Sequence, residues 1–283
     1  MSRRPARGAP RPTRPGGLTA LCFNLKYASE HPPHAWPDRR GLVAQAIRGA
    51  RPALVATQEG LYRQLRDVAA DTGLSWVGLG RDGGAHGEFC AILYDPAVLD
   101  PLDYDHFWLS ATPAWVGSRT PWWGNSSVRI ATWVRFRLLA TGADLVWLNT
   151  HLDNDSATAR FKGAAQIGRW CRGVDRGLPL VVSGDFNCAV DSRPYEQLTR
   201  GAGLADAWQL AGAAPSGTYG GWGMVKPAGD RIDWVLLRGP VTATGAEVVD
   251  HHDPSRGEEG WPSDHLPVRV SLSVGGRCGP AGP

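Results

Sequence analysis

Lysine is nearly missing from this 283-residue chain, which has only Lys26, Lys162 and Lys226. Proteins that track a phosphate polymer need many basic contacts, so this scarcity argues against a long nucleic-acid footprint. Cysteine is sparse as well. Its five occurrences (Cys22, Cys90, Cys171, Cys188 and Cys278) are odd in number, widely spaced and without a CxxC pair. That pattern excludes a disulfide framework, leaves zinc without support and suits reduced thiols in a cytoplasmic protein. No apolar run reaches the ~18 to 20 residues of a membrane span, so stable membrane insertion is not expected. Residues 1–17 have no apolar core of the signal-peptide kind, and nothing twin-arginine-like follows Arg3 and Arg4. A repeat period is absent, and no linker divides the middle of the chain.

The charge that is present is unevenly placed. The formal net charge is +3, yet residues 1–17 carry five Arg and no acid. Setting those five aside from the 30 Lys and Arg leaves 25 basic residues against 27 acidic ones. The body is therefore slightly acidic, whereas a nucleic-acid binder keeps its basic excess on the folded domain. Residues 1–17 read as a disordered Arg/Pro-rich tail, residues 18–274 as one domain and residues 275–283 as a flexible tail.

Helical and strand periodicities alternate through the body. "LTALCFNL" (18–25) reads as a strand, and Asp38 as the N-cap of a helix carrying Leu42, Val43, Ala46 and Ile47 on one face. "ALVATQE" reads as a buried strand, and "LYRQLRDVAADTG" as an amphipathic helix stopped by Gly73. Strands follow at "SWVGLG", "FCAILYD", "VRIATWVRFRLL" and "DLVWLNTHL", the last two joined by a turn at Thr141 and Gly142. Ser156 caps a helix through Arg172. After the strand "LPLVVSGDFN" come a short helix near 194–200 and strands at "RIDWVLL", "VTATGAEVV" and "LPVRVSLSV". Several of these strands are apolar throughout, which implies an α/β fold with sheets covered on both faces.

The chemistry collects where the strands end. Asn24 closes the first strand and Glu59 the second; His151 and Asp153 follow "VWLNT", and Asp185 and Asn187 follow "LPLVV". Asp233 lies in "RIDWVLL", and Asp264 and His265 precede "LPVRVSL". Open α/β sheets gather their sites at strand ends. A set of carboxylates, amides and imidazoles without cysteine suits Mg2+, or Mn2+, rather than zinc. Beside such an ion, a histidine serves as a general base or leaving-group stabiliser, a combination suited to phosphate-ester hydrolysis. Taken singly, each fragment has a plainer reading as a turn, a helix-start acid or a cross-strand ion pair. Their joint occurrence, in order and each at the edge of an apolar segment, is what carries weight.

"CFNLKY", "ATQEG", "WLNTHLD", "SGDFN", "RIDWVLL" and "PSDHLPV" resemble the ordered motifs of the endonuclease/exonuclease/phosphatase superfamily. "GEFCAILYD", "FWLS" and "RIATWVRF" resemble its bacterial metal-dependent hydrolase branch. The resemblance spans about residues 18 to 273. It implies a DNase I-like four-layer α/β/β/α sandwich, two mixed sheets packed face to face with helices outside, and a metal-dependent phosphoesterase. Carried over by motif, Glu59, Asn24 and Asp264 would form the metal side of the site. Asp185 and Asn187 would orient water and a phosphate oxygen, His151 would contact phosphate, and Asp233 would fix the tautomer of His265. Arg129 would clamp a substrate oxygen, and Asp153 joins the substrate-binding candidates, with a plain loop acid as its other reading.

Thirteen tryptophans are many for this length. Those in loops suggest an aromatic-lined pocket, with His34, Trp36, Trp123, Tyr219 and Trp222 at its rim. A monomer acting on a small or partly apolar phosphate ester is therefore expected, monoester or diester. A nuclease acting on DNA or RNA is the alternative, because the five N-terminal Arg offset the acidic stretch 247–264. A metal site redirected to a specialised metabolite is the second alternative.

Overall fold

The structure, a computed structural model, describes residues 16–275. Of the two expected tails only Gly16, Gly17 and Gly275 are described: Gly16 O accepts from Val274 N, Gly17 is a strand residue, and Gly275 N donates to Pro240 O. In chain order the elements are β1 (Gly17–Asn24), α1 (Trp36–Ala50), β2 (Leu54–Gln58), α2 (Tyr62–Thr72), β3 (Ser75–Val77), β4 (Ile92–Tyr94) and β5 (Leu99–Trp108). Then come β6 (Ile130–Leu138), β7 (Asp144–His151), α3 (Ala157–Gly173), β8 (Leu180–Asp185) and α4 (Arg193–Ala202). The last third holds β9 (Ala205–Asp206), α5 (Ala207–Leu210), β10 (Asp233–Arg238), β11 (Val241–Val248) and β12 (Val268–Val274).

Two six-stranded sheets form, ordered β11-β12-β1-β2-β4-β3 and β5-β6-β7-β8-β10-β9. Each is mixed, with one central parallel pair: β1 with β2, and β7 with β8. The first sheet draws strands from both ends of the domain, so the sheets are not simply the two halves of the chain.

Alternation along the strands explains the layering, because successive side chains point to opposite faces. In β1, Leu18, Ala20 and Cys22 enter the core between the sheets, against Val134, Phe136, Trp147 and Val181. The intervening Leu21 and Phe23 pack outward on Val43 and Ile47 of α1 and Leu65 of α2. In β8, Val181 faces inward while Leu180 and Val182 meet Ala164, Ile167 and Cys171 of α3. Both faces of the central strands are thus covered, which is why their sequences are apolar throughout. Three described cysteines are buried and Cys188 is partly so; all four are free thiols, and Cys278 lies outside the described residues.

A polar bolt fixes one sheet on the other. Asn149 of β7 donates across the interface to the carbonyls of Thr57 (2.8 Å) and Ala91 (2.9 Å), and its oxygen accepts from Gln58 of β2 (2.7 Å). Both side chains are fully buried, where amide groups must be paired to be tolerated. The bolt lies beside Glu59 and so sets one half of the candidate site against the other.

Some elements depart from the sequence-based expectation. Helix α1 begins at Trp36 after Ala35, with Pro37 in its first turn; Asp38 lies inside that turn and is not the cap. Ser156 does cap α3, its side chain accepting from Ala159 N at 3.1 Å. Strand β5 carries Pro101 and three acidic residues that mask its pattern. It is tolerated as an edge strand, with a register shift between Pro101 and Asp103.

Candidate active site

The sheets bring the chemical residues to one end of the sandwich for a topological reason. The parallel strands β1, β2, β7 and β8 all end there, with Asn24, Glu59, His151 and Asp185. The antiparallel strands begin there: Asp233 starts β10 opposite Asp185, and Asp264 and His265 lead into β12 beside Cys22. The "SGDFN" bend depends on Gly184, where an added Cβ would lie 2.2 Å from the carbonyl oxygen of Thr150. Lys26, Glu59 and Asn187 adopt left-handed backbone (φ 54°, 59° and 51°), a conformation costly for non-glycine residues and frequent at functional sites.

Asp185 is the hub. Its Oδ2 accepts from Asn24 Nδ2 at 2.9 Å and lies 3.4 Å from His151 Nε2 and 3.6 Å from His265 Nε2. Its Oδ1 accepts from Asn187 N at 2.9 Å. His265 Nδ1 meets Asp233 Oδ2 at 2.9 Å, so that nitrogen carries the proton and Nε2 points at Asp185. Asn187 Nδ2 donates to Leu152 O (3.0 Å), which orients the amide, and so also to His151 Nε2 (2.9 Å). His151 is therefore a neutral acceptor at Nε2.

The charges follow from burial and neighbours. Burial pulls His151 well below the usual histidine range, with the Arg129 and His265 cations adding to it. Burial also works against the His265 imidazolium, but the carboxylates of Asp233 and Asp185 outweigh it and lift its pKa to about 10. Desolvation pushes Asp185 up to about 7, against the attraction of His265. His265 and Asp185 thus face each other as a buried pair whose charges influence one another, Nε2 to Oδ2 3.6 Å.

A second group of carboxylates faces this array. Glu59 accepts from Asn24 Nδ2 (3.0 Å) and Tyr27 N (3.1 Å). Lys26 Nζ lies 3.1 Å from Asp264 Oδ2 and 3.9 Å from Glu59 Oε2. Oxygens of Glu59 and Asp264 thus converge on a position that holds a positive charge, a donor set that fits Mg2+ or Mn2+. Glu59, His151 and Asp185 also cluster within ligand reach of one another. We favour Glu59 and Asp264 as ligands, because the single Nε2 lone pair of His151 is occupied by Asn187. Asn24, expected as a ligand, instead turns its amide nitrogen to Glu59 and Asp185 while its oxygen accepts from Lys26 N (2.9 Å). Two facing carboxylates need a donor between them, and Asn24 supplies it.

A cavity of about 410 Å³ joins the two groups. Tyr27, Arg81, Glu88 and Arg129 contribute to its wall, as does Tyr219, whose exposed ring meets His265 edge-on at 5.0 Å. Arg129 is held by Asn154 at 2.6 Å. Asp153 lies behind it, Nε to Oδ2 3.7 Å, and its Oδ1 accepts from the backbone of Asp155 and Ser156. Asp153 therefore braces the loop and Arg129 rather than facing a substrate.

Of the five residues expected at an aromatic rim, Tyr219 alone lines this cavity. Trp36 is buried under α1, its indole donating to Asp67 at 2.8 Å. His34 stacks on Trp222 at 3.7 Å, and neither lines the cavity. Trp123 borders a separate recess of about 670 Å³ with Phe107, Trp133 and Trp170, on the outer face of the second sheet. Tryptophan in a long loop finds apolar cover wherever the loop packs, so its count did not locate a substrate pocket.

Three residues that matter here carried no sequence signal. Arg81 pairs with Glu88 (2.7 Å) on the cavity wall, and Lys26 touches both candidate ligands. Arg39 is fully buried and donates to the carbonyls of Leu25, Lys26, Tyr27, His34 and Pro262, tying the loop after β1 to the loop before Asp264. Its burial brings the guanidinium down to about 10.

The Endonuclease/Exonuclease/phosphatase family model matches residues 21–265, most of the chain and every site residue above. The chain belongs to this family. It is a hydrolase of phosphate esters with the family's α/β DNase I-like fold. Among solved structures, the Bacteroides vulgatus endonuclease/exonuclease/phosphatase is 29% identical, with TM-score 0.84 over 92% of this chain and 99% of that one. The Bacteroides thetaiotaomicron mannosyl-6-phosphatase is 28% identical, with TM-score 0.82 over 90% and 99%. The human Nocturnin catalytic domain shares the fold, with TM-score 0.71 at 18% identity over 92% and 95%. No curated protein sequence matches the chain. Among the described residues no helix is long and apolar enough to cross a membrane.

Proposed function

We propose that this family member is a Mg2+- or Mn2+-dependent phosphatase acting on a small, polar organic phosphate. The observation that carries the reading is the convergence of Glu59, Asp185, Asn187, Asp264 and His265 on one polar cavity of about 410 Å³, with Asp233 holding His265 from behind. That volume suits a small molecule. The wall offers Lys26, Arg81 and Arg129 to an anion and, besides Tyr27 and Tyr219, little apolar surface, which favours a polar substrate over a partly apolar one. The 28% identity to a mannosyl-6-phosphatase supports a sugar phosphate as the first substrate to try.

When bound between Glu59 and Asp264, the cation would neutralise charge on the phosphoryl oxygens. Asp185, fixed by Asn24 and Asn187 N and titrating near neutrality, takes the proton of the attacking water. His265, with Nδ1 held by Asp233, offers its Nε2 proton to a phosphoryl oxygen as charge develops. Asn187 and neutral His151, bonded to each other, fix the cavity wall beside Asp185. The water oxygen forms the new P–O bond, the ester P–O bond breaks, and the leaving alkoxide is protonated from solvent.

Phosphate release from sugar phosphates, other monoesters and small diesters is to be measured with Mg2+ and with Mn2+, beside nicking of supercoiled plasmid. Wild type should release phosphate from small monoesters, and Glu59→Ala should not while keeping its circular dichroism spectrum. Plasmid nicking by wild type but not by Glu59→Ala, with no monoester turnover, would overturn the small-substrate reading.

A further inference from the structure

The contacts of Lys26 give it a role beyond offering charge to an anion. Its backbone is pinned from several sides. The amide donates to Asn24 Oδ1 (2.9 Å), and the carbonyl accepts from Gln64 Nε2 (2.8 Å) and Arg39 Nη2 (3.1 Å). The side chain, by contrast, is 32% exposed and lines the open cavity. Its ammonium lies 3.1 Å from Asp264 Oδ2 and 3.9 Å from Glu59 Oε2, oxygens of the two carboxylates assigned to the metal. An anchored backbone with a swinging cationic tip is the arrangement of a removable counter-ion.

We propose that Lys26 is a tethered competitor of the divalent cation: its ammonium occupies the space between Glu59 and Asp264 in the metal-free protein and swings into the cavity when the ion binds. The inference rests on the assignment of those two carboxylates as ligands. Mg2+ binds oxygen at about 2.0 to 2.1 Å, so an ion shared by the two carboxylates would fill the space the ammonium holds. Two cations so close repel, and the four-carbon stem lets the ammonium leave without moving the backbone. In the metal-free state the same ammonium keeps two nearby carboxylates from repelling each other. The residue therefore stabilises the empty site and weakens metal affinity, which makes ion occupancy sensitive to the free concentration.

The test uses the full chain stripped with EDTA, with Mn2+ binding followed by calorimetry and melting temperature recorded with and without Mn2+. Lys26→Met and Lys26→Gln should bind Mn2+ about tenfold more tightly, equivalent to ~1.4 kcal/mol. Both should melt lower than wild type without metal and gain more from Mn2+, while Lys26→Arg, which keeps the charge, should not gain affinity. Wild-type binding with equal or weaker affinity in both neutral variants would overturn the competitor role and leave the metal site standing. Absence of Mn2+ and Mg2+ binding by wild type and variants alike would overturn the ligand assignment, and the inference with it.

Discussion

Replacing Asp233 with Asn keeps the shape of the side chain and removes one buried charge, and its consequence can be worked from the site. Neighbouring carboxylates lift His265 to about 10, although burial opposes its charged form; Asp233 is the largest of the charges that raise it. A histidine raised in the fold adds stability that is complete below its unfolded pKa, about 6.5, and lost as pH climbs to about 10. Over that window the contribution declines by ~1.4 kcal/mol per pH unit. In Asp233→Asn, burial is opposed mainly by Asp185, so His265 falls toward or below its unfolded value and the contribution shrinks. The stability gap between wild type and variant should therefore narrow by roughly 1 to 3 kcal/mol between pH 7 and pH 9. Urea unfolding in EDTA, followed by tryptophan fluorescence, measures it. A gap that is constant or widens with pH would refute the assignment of Asp233 as the partner that holds the imidazolium. With metal present, phosphate release at pH 7 should drop about 10²- to 10⁴-fold, the usual worth of a positioned acid–base group.

Asn149→Ala should cost about 3 to 5 kcal/mol in chemical denaturation, because it leaves the carbonyls of Thr57 and Ala91 and the amide of Gln58 short of partners in a dry interface. Arg39→Met should destabilise by about 3 kcal/mol or more and raise KM, since five carbonyls lose the donor that holds the Lys26 and Asp264 loops together. An unchanged KM would show that those loops keep their positions without it. Trp123→Ala should alter kcat/KM less than about twofold, because Trp123 lies outside the catalytic cavity, where substitutions usually act weakly. A tenfold loss on small monoesters would place the substrate nearer the aromatic recess.

Edge and loop features were the hardest to read from the chain. Strand β5 escaped notice because Pro101, Asp100, Asp103 and Asp105 break every strand signal, and only its place at a sheet edge makes them acceptable. The third and fourth strands proved shorter than "SWVGLG" and "FCAILYD" suggest, because Gly78 and Gly80 interrupt the first and its partner Phe89 makes only bridge contacts. The contacts of Asn24 could not be read from the chain: an amide offers both a donor and an acceptor, and only the neighbouring carboxylates decide which end faces the site.

The sequence by itself determined the layers and the chemical inventory. Unbroken apolar strands and carboxylates at strand ends are local properties, and they dictated covered sheets with their reactive groups at the edges. It also brought Glu59, Asp185, Asp233 and His265 into one list. Tertiary structure decided what each of them touches. Asn24 became a clamp because it stands between Glu59 and Asp185, Asp153 a brace because Arg129 covers it, and Lys26 a counter-ion because the loops before Asp264 and after β1 are tied together by Arg39. Those distinctions depend on ångström distances between residues on different elements of the fold, and no periodicity or motif encodes them.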